Sequence, residues 1–398
     1  MGPKPQALTQ PLAKNIRETL LGTLEHGQEI MENIRVLRNV SGDKIPTGSV
    51  TRPAEAIHRR ELKLVVQSVM DTGKQAKIFR LVSEDGYLPP FEAGQYINLF
   101  TQIGGVRTSR PYSISSSPRQ RAYYEITVAR TKDGFVSDYL LDQVKAGDRF
   151  AANGPAGVFR YQPVFHSKKS LFLAGGSGIT PMLSMTREIL EAGLDRDVVL
   201  LYGCRAPDGA LYHEELTAYA ADFPNFRYHL VVSDPVEGWD GERGFLDEAL
   251  IRRLVPDFSE RTSYICGPQV MNDFCKSALE AMGVPEKRIR REMFGARRDI
   301  QNEPGWSQEL TGDEEFTVTV GDQKVSARSG ESLLTALERA GVRVNVCCRS
   351  GECSLCRVKL VSGEVFLAKG MLRRFADEKY GYIHSCKAYP MGDIEIML

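Results

Sequence analysis

The segment Cys348-Arg-Ser-Gly-Glu-Cys353-Ser-Leu-Cys356 decides the fold of the carboxyl-terminal part of this chain. Its three cysteines have the spacing C-x4-C-x2-C, and Cys386 supplies a distant fourth thiol. Three thiolates converge only if the loop between them folds tightly, and Gly351 can take the positive φ that a tight loop requires. Backbone N–H groups inside such a loop stabilise negative charge. The segment therefore predicts a thiolate loop that binds a metal centre.

The spacing of the cysteines distinguishes between two kinds of centre. Three closely spaced cysteines and a distant fourth are typical of a [2Fe–2S] cluster. Zinc also accepts four thiolates, but zinc ribbons usually carry them in two short pairs. We therefore predict a cluster with four ligands: Cys348, Cys353, Cys356 and Cys386. Cys347 is one residue out of register and is expected to pack as a small apolar residue.

Composition places the chain among ordinary globular proteins. Its 398 residues are 42% hydrophobic and 26% charged, which predicts several domains. Its 51 basic and 51 acidic side chains balance, so no overall field attracts nucleic acid. No apolar run is long enough for a membrane span, and no secretory signal pattern opens the chain. Five of the eight cysteines fall between Cys347 and Cys386, which favours metal binding in a reducing, cytoplasmic setting.

Residues 1–57 form an extension that differs in pattern from the rest. Apolar residues at helical spacing predict an amphipathic helix over Pro11–Arg38, followed by a linker, Ser41–Pro53. We expect this helix to pack on the body of the protein, and the alternative is a docking or dimer helix. The oligomeric state is not fixed by this pattern.

Residues 58–163 predict a small antiparallel β-barrel or sandwich. Short β-rich runs occur at Leu62–Val69, Tyr96–Phe100 and Tyr123–Val128, with glycine and proline turns between them.

Residues 164–296 alternate apolar strands with helical patterns, which predicts an α/β domain with a doubly wound parallel sheet. The predicted strands are Ser170–Ala174, Val198–Tyr202, Tyr228–Val232 and Ser263–Cys266. The predicted helices are Pro181–Ala192, His213–Ala221 and Asp247–Leu254.

The carboxyl-terminal part begins with a polar second linker over residues 297–312. Residues 313–398 then predict a hairpin of Phe316–Val320 and Gln323–Ala327, a helix Ser332–Ala340, and the cysteine loop. The whole segment resembles plant-type ferredoxins, which implies an α+β (β-grasp) domain.

A glycine-rich turn follows the first strand of the α/β domain, in the sequence Gly175-Gly176-Ser177-Gly178-Ile179-Thr180-Pro181. A turn of this kind between a strand and a helix lets the backbone approach a pyrophosphate at the helix N-terminus. Thr180 adds a hydroxyl, and Pro181 suits the first helical turn. We therefore predict a dinucleotide-binding site that includes Gly176, Gly178, Thr180 and Pro181.

The barrel segment Arg110-Pro111-Tyr112-Ser113 resembles the R-x-Y-S motif of the ferredoxin–NADP⁺ reductase superfamily. Tyr112 can stack on an isoalloxazine ring, and Arg110 can neutralise a diphosphate. The resemblance implies that Ser113 bonds the flavin near N5, where hydride arrives, so Ser113 is a predicted catalytic residue.

Further barrel segments resemble the same superfamily. Ile126–Arg130 resembles its next flavin-contacting strand, with Val128 and Arg130 as predicted contacts. Gly134-Phe-Val136-Ser137 resembles its helix start, where we expect Ser137 to cap free N–H groups beside a phosphate. Gly154–Gly157 resembles the closing turn of the barrel. The resemblance implies a barrel, the fold expected for a flavin domain, and it implies FAD, with FMN as the alternative used in one branch.

Residues Cys266-Gly267-Pro268 resemble the C-G-P motif of the superfamily, in which the cysteine lies beside the reacting nicotinamide carbon. Cys266 is therefore a second predicted catalytic residue, and the alternative is a buried core cysteine. The segment Glu292-Met-Phe294 resembles a region that approaches the flavin, which makes Phe294 a predicted contact. An acidic Asp234 after the third strand repels a 2′-phosphate, although Arg205 can offset this charge, so NADH is predicted and NADPH is the alternative.

The order of flavin barrel, nucleotide domain and ferredoxin domain resembles single-chain reductases that supply oxygenases, and hybrid-cluster-protein reductases. Hydride carries two electrons, whereas the cluster takes one, so flavin must lie between them. We predict transfer from NADH to FAD to [2Fe–2S] and then to an external acceptor protein, such as an oxygenase component. The alternatives are an anaerobic corrinoid or hybrid-cluster partner, a terminal flavin reductase acting on a small molecule, and a redox-sensing module.

Overall fold

The computed structural model describes residues 61–398 except residues 74, 133, 296–298 and 369–373. The helix predicted over Pro11–Arg38 lies outside these residues. Within the described ranges, no helix is both long enough and apolar enough to cross a bilayer.

The first part is a six-stranded antiparallel sheet in the order β4-β3-β6-β1-β2-β5. Its strands are β1 Leu62–Asp71, β2 Ala76–Ser83, β3 Tyr96–Ile103, β4 Val106–Ser113, β5 Tyr124–Ala129 and β6 Arg149–Ala156, with helix α1 at Val136–Gln143. Alternate residues of β1, such as Leu62, Leu64 and Val66, are buried. They form the barrel core with Phe79 and Ile97.

The second part is a parallel sheet in the order β10-β9-β8-β7-β11-β12. Its strands are β7 Lys169–Gly175, β8 Asp197–Cys204, β9 Phe226–Val232, β10 Glu242–Arg243, β11 Thr262–Cys266 and β12 Ile289–Glu292. Its helices are α2 Ile179–Glu191, α3 His213–Asp222, α4 Glu248–Leu254 and α5 Gln269–Ala281. Strands β7 and β8 are buried along almost their whole length, as expected where helices cover both faces.

The third part is a mixed sheet in the order β14-β13-β19-β15-β17, with a separate pair β16-β18. Its elements are β13 Glu315–Val320, β14 Gln323–Arg328, α6 Leu333–Arg339, β15 Arg357–Ser362, β16 Val365–Leu367, α7 Phe375–Lys379, β17 Tyr382–His384, β18 Ala388–Pro390 and β19 Ile394–Met397. Leu333 and Leu337 of α6 are buried in one core with the inner face of this sheet. The Ser332 hydroxyl accepts a bond from Thr335 N and caps α6.

The segment predicted as the second linker is packed rather than free. Ile300 and Trp306 are buried in a small cluster with Ala368 and Tyr389 of the third part. Trp306 Nε1 also donates to Leu310 O at 2.9 Å. A polar composition predicted a loop, but two apolar residues in it are enough to attach the segment to the ferredoxin-like sheet.

Candidate active site

Helix α2 fixes the barrel against the parallel sheet. Ser184 Oγ on this helix donates to Ser116 O at 2.8 Å, and Arg187 Nη1 donates to Ser115 O at 2.9 Å. Burial alone would lower the pKa of Arg187, but hydrogen bonds and charges from Glu215 and Glu125 outweigh it and raise the pKa. The loop that follows β4 is therefore held by the charged, half-buried side chain of Arg187 on α2.

Ser113 lies at the end of β4, at this junction. Its Oγ is buried and makes no hydrogen bond of ordinary geometry with a described residue, and the same holds for Oε2 of Glu292 at the end of β12. Burial raises the pKa of Glu292 well above its usual value, and the charges of Glu352 and Cys348 add to the rise. Buried polar atoms without partners are rare in folded proteins. Hydrogen bonding from Ser113 partly offsets the raised pKa of Glu292, so the two side chains lie together. Together they suit a bound ring with its own donors and acceptors, such as a flavin.

The other residues of the R-x-Y-S motif line the same strand. Burial raises the pKa of Tyr112, which packs at the edge of the barrel core. Arg110 Nη1 donates to Thr108 Oγ1 at 2.9 Å and to Ser109 O at 2.7 Å. Burial, with the charge of Arg349 adding to it, lowers the pKa of Arg110 to about 10. Pro111 is buried between them. The role of Arg110 towards a diphosphate remains a prediction.

The predicted cap of α1 by Ser137 is wrong. The helix begins at Val136, its N-cap is Phe135 with no side-chain bond, and Ser137 is already inside the first turn. Its Oγ instead lies 3.0 Å from Thr131 Oγ1. A Cβ on Gly134 would lie 2.1 Å from Ser137 Oγ, so the hydroxyl occupies the space that this glycine leaves open. The N–H groups of the first turn are therefore not capped by this side chain.

Val128 and Arg130 have different surroundings. Val128 is buried in the barrel core, whereas Arg130 is exposed and forms ion pairs with Asp138, at 3.1 Å, and Asp142 of α1. Arg130 therefore joins β5 to α1 in this structure.

The glycine turn lies directly against the C-G-P segment. Cys266 is opposite Ala174 in the β7–β11 ladder, and a Cβ on Gly178 would lie 2.1 Å from the carbonyl oxygen of Cys266. Thr180 Oγ1 donates to Ser177 O at 2.9 Å, so its hydroxyl closes the turn. Burial, with the charge of Glu292 adding to it, raises the pKa of Cys266 well above its usual value. Cys266 is thus a neutral thiol at the end of the strand, suited to positioning rather than nucleophilic attack.

Two exposed residues of opposite charge mark the predicted coenzyme-selecting position. Arg205 Nε lies 3.6 Å from Asp234 Oδ2, and Asp234 N donates to Arg205 O at 2.8 Å. In the sequence, Asp234 predicts repulsion of the 2′-phosphate of NADPH, whereas Arg205 offers a charge that can offset this repulsion. The structure joins them in one ion pair at the carboxyl edge of β8 and β9.

The four predicted cluster ligands come together as two pairs of thiols. Hydrogen bonding and charge couple Cys348 to Cys353, and Cys356 to Cys386, while Cys348 also lies within electrostatic range of the second pair. In the described residues, no group of three or more potential ligands is placed to hold a single metal ion. Two pairs fit the two irons of a [2Fe–2S] cluster better than one tetrahedral zinc.

The conformation of the loop supports this arrangement. Gly351 has a φ of 83°. Arg349 and Ser354 have φ of 55° and 59°, a conformation that residues with a side chain rarely adopt. As a result the backbone N–H groups of Ser350 and Cys353 both point at Cys348 Sγ, each at 3.4 Å. Such N–H groups stabilise a thiolate.

The cysteine loop is docked on the flavin barrel. The carbonyl oxygen of Val346 accepts bonds from Asn98 Nδ2, at 3.1 Å, and Asn153 Nδ2, at 3.2 Å. Cys347 is buried beside the barrel, with its Sγ 3.8 Å from Tyr96 OH. It therefore packs as predicted, between the cysteine loop and Tyr96. An asparagine inside the apolar run Tyr96–Phe100 was a sequence signal for a buried polar contact. Nothing in the sequence indicated that the partner of Asn98 is Val346.

A charged network completes this contact. Arg349 forms a close bidentate pair with Glu338 of α6, and Thr108 of β4 donates to the same carboxylate at 2.9 Å. The cysteine loop, α6 and the R-x-Y-S strand are therefore held together by buried hydrogen bonds.

Comparison with known proteins agrees with this geometry. Family models match an oxidoreductase FAD-binding domain at residues 62–161, an oxidoreductase NAD-binding domain at 172–277, and a 2Fe-2S iron-sulfur cluster binding domain at 316–391. The glycine betaine monooxygenase reductase subunit of Pseudomonas aeruginosa is 32% identical over 351 residues, covering 85% of this chain and 95% of that protein. The chain belongs to the ferredoxin–NADP⁺ reductase superfamily.

Two further relatives are similar to this reductase over most of their length. NADH oxidoreductase HCR of Escherichia coli is 32% identical over 317 residues, covering 79% of this chain and 90% of that protein. The structure of phthalate dioxygenase reductase matches with a TM-score of 0.63 and 28% identity, covering 85% of this chain and 98% of that one. This reductase is an NAD(P)H-dependent oxidoreductase with FAD, NAD and [2Fe–2S] domains in the predicted order.

Proposed function

We propose that this reductase takes hydride from NADH at Ser113 and Cys266 and delivers single electrons through the cysteine loop to an oxygenase component. One observation carries the proposal. Tyr96 is opposite Ser113 in the β3–β4 ladder and reaches Cys347, beside the first cluster ligand. The hydride site and the electron exit are thus separated by one pair of strands, as a relay requires.

Each cofactor has a set of residues proposed to hold it. We assign the cluster to Cys348, Cys353, Cys356 and Cys386. FAD is assigned to the barrel residues Arg110, Pro111, Tyr112, Ser113, Val128, Arg130, Gly134, Val136 and Ser137, with Phe294 at its edge. The coenzyme is assigned to Gly176, Gly178, Thr180, Pro181, Arg205, Asp234, Cys266, Gly267 and Pro268. Bound flavin supplies the chemistry that accepts a hydride and releases electrons singly.

The residues of the chain orient the reactants and control protons. The buried Ser113 hydroxyl offers a hydrogen bond at the place where hydride arrives. Cys266, small and neutral, leaves room for a nicotinamide ring at the end of β11. Burial raises the pKa of Glu292 well above its usual value, which favours a carboxyl group that carries its proton beside Ser113. The docked barrel, sheet and cysteine loop exclude water from these groups.

Two relatives support an oxygenase component as the acceptor. Glycine betaine monooxygenase reductase subunit and phthalate dioxygenase reductase are both named for oxygenases. The likeness to NADH oxidoreductase HCR, whose name mentions no oxygenase, leaves a different redox protein as the second candidate. NADH is favoured over NADPH by the carboxylate of Asp234. No disulfide joins the described cysteines, which fits a reducing, cytoplasmic location.

Anaerobic titration of the full chain with NADH tests the relay. We expect the flavin absorbance to bleach and a cluster EPR signal to follow. Oxygen uptake and substrate hydroxylation are then measured with the purified oxygenase component of the glycine betaine system. In a separate anaerobic assay, NADH oxidation is measured with a hybrid-cluster protein as the acceptor. Faster turnover with the second partner would favour the alternative acceptor. A cluster that NADH leaves oxidised would refute the relay itself.

A further inference from the structure

The barrel covers only one side of the cysteine loop. Val346, Cys347 and Cys348 are buried, and Val346 and Cys347 contact the barrel directly. Leu355, between the ligands Cys353 and Cys356, points the other way and is 49% exposed. A large apolar side chain exposed between two metal ligands marks the side from which an electron can leave over a short distance.

Basic and apolar side chains surround Leu355. A pocket of about 110 Å³ is lined by Leu355, Arg343, Arg357 and Leu398. On the outer face of the sheet, Lys359 of β15 pairs in register with Tyr382 on one side and Met397 on the other, and all three are exposed. We define the exit patch as Leu355, Leu398, Arg343, Arg357, Lys359 and Tyr382.

The exit patch is rigid on its Arg357 side. The Arg357 guanidinium lies over the Tyr382 ring at 5.6 Å and pairs with Asp377 of α7 at 3.2 Å. Asp377 Oδ2 also lies 3.4 Å from His384 Nε2, while His384 Nδ1 lies 2.9 Å from Gly351 O in the cysteine loop. Helix α7 and the patch are therefore attached to the backbone that surrounds the cluster, which lowers the entropic cost of binding a partner there.

The charges indicate what kind of surface fits the patch. Within the described part of the chain, Arg343 and Lys359 make no ion pair, no aspartate or glutamate lines the pocket, and Arg357 is bound to Asp377. Glu395 is exposed on the same sheet face but lies farther along β19, opposite Ser362. Arginine and aromatic residues around an apolar centre are the composition of interface hot spots. An acidic rim on the partner would complement it.

We propose that the exit patch is the docking site for the electron acceptor, and that the acceptor is a protein with a carboxylate-rich surface around its own redox centre. This inference rests on the proposed relay, because it takes the cluster as the exit. It goes further in naming the contact residues and the charge of the partner. The step transfers one electron from the reduced cluster to the oxidised centre of the acceptor, with no bond made or broken.

The salt dependence of two probe acceptors tests the proposal. The acidic haem domain of cytochrome b5 and the basic cytochrome c are each reduced by the full chain with NADH. We expect kcat/KM for cytochrome b5 to fall as salt rises, and that for cytochrome c to rise or stay level. The variant Arg343→Glu/Lys359→Glu should lower kcat/KM for cytochrome b5 about tenfold at low salt. The loss should shrink at high salt.

A matched variant supplies the control. Lys145 and Lys287 are exposed lysines outside the third part of the chain, so Lys145→Glu/Lys287→Glu makes the same change in net charge elsewhere. Equal losses in both variants, or equal salt dependence for the two probes, would overturn the docking site. Flavin and cluster reduction by NADH, followed by stopped flow and EPR, should be unchanged in both variants. If the cluster of the unmodified chain is not reduced, the relay fails rather than the docking site.

Discussion

Tyr96 and Ser113 lie directly opposite each other in the ladder between β3 and β4. The Tyr96 hydroxyl reaches Cys347 Sγ at 3.8 Å, and its ring packs edge-on against Phe294 with centroids 6.0 Å apart. Ser113 borders Glu292 and the end of the parallel sheet. A single residue pair therefore joins the proposed hydride site to the proposed cluster site, and variants on each side should separate the two half-reactions.

Replacing Ser113 with alanine should slow hydride transfer and leave the cluster intact. Loss of one preorganised hydrogen bond at a reacting centre typically costs about 100-fold in rate. We expect Ser113→Ala to slow flavin bleaching by NADH in stopped flow by roughly that factor. Ser109→Ala, at another buried serine of β4, is the control and should have little effect. An unchanged bleaching rate in Ser113→Ala would contradict the role assigned to Ser113.

Substitutions of Cys356 and of Cys347 should have different effects on the cluster. Cys356→Ser should abolish the cluster EPR signal and the reduction of protein acceptors, while flavin reduction by NADH persists. Cys347→Ser should keep the cluster, since Cys347 packs against Tyr96 and is not a proposed ligand. Iron content and EPR after dithionite reduction measure both. A cluster lost in Cys347→Ser and kept in Cys356→Ser would show that the ligand register is wrong.

Gly178→Ala should weaken coenzyme binding. An added methyl group would lie 2.1 Å from the carbonyl oxygen of Cys266, so the glycine turn and the C-G-P segment must move apart, at a cost of about 1–3 kcal/mol. We expect a higher KM for NADH and slower flavin reduction, with flavin content unchanged. Gly209→Ala is the control because a Cβ there meets nothing within 4 Å. Equal effects of the two substitutions would argue against this explanation.

The ion pair of Arg205 and Asp234 should set coenzyme preference. We expect the unmodified chain to have a higher kcat/KM with NADH than with NADPH. Asp234→Ala removes the repelling charge and frees Arg205 for a 2′-phosphate, so kcat/KM with NADPH should rise about tenfold, or about 1.4 kcal/mol. Glu237→Ala, in the same loop, should not change the ratio. A preference for NADPH in the unmodified chain would overturn the interpretation of Asp234.

The buried Arg261 should make stability depend on acid. Burial alone would raise the pKa of Asp257, but bonds from Arg261 and Lys169 outweigh it and lower the pKa to about 2. A lowered folded-state pKa stabilises the protein above about pH 4, and the effect disappears as pH falls through about 2. Asp257→Asn should therefore lower the free energy of unfolding by about 2 kcal/mol near neutrality and by less in acid.

Urea denaturation at neutral and acid pH measures this difference. Asp195→Asn removes the exposed pair with Lys168 and is the matched control, with an expected change close to zero. A loss in Asp257→Asn that is the same at both pH values would contradict the assignment.

The sequence predicted the parallel sheet well because its strands are continuous apolar runs. The predicted Ser263–Cys266 and His213–Ala221 differ from the observed elements by one residue at one end. Strands such as β6, Arg149–Ala156, were not predicted because glycine and proline interrupt the alternation of apolar residues. The strand forms because β1 and β3 pair with it on either side. Ser137 failed as a cap because its hydroxyl packs over Gly134, a contact that local sequence does not determine.

The site was predictable where a motif is local and unpredictable where distant segments meet. The loop from Cys348 to Cys356 and the turn before α2 each carry their own geometry. The contact between Asn98 and Val346 joins residues 248 positions apart, and no spacing rule links them. Glu292 was noticed in the sequence, but its burial beside Ser113 depends on all three parts of the chain.

The contact at Val346 also bears on how chains of this kind are assembled. Asn98 and Asn153 recognise a main-chain carbonyl, which every amino acid provides. These two hydrogen bonds therefore fix the path of the incoming loop and do not themselves depend on the side chain at position 346. A ferredoxin unit grafted from another reductase therefore needs a loop that follows the same course and a residue that fills the space of the Val346 side chain, which is buried with Leu334, Cys356 and Cys386. Chimaeras that meet both conditions would exchange the electron-delivering unit while keeping the barrel.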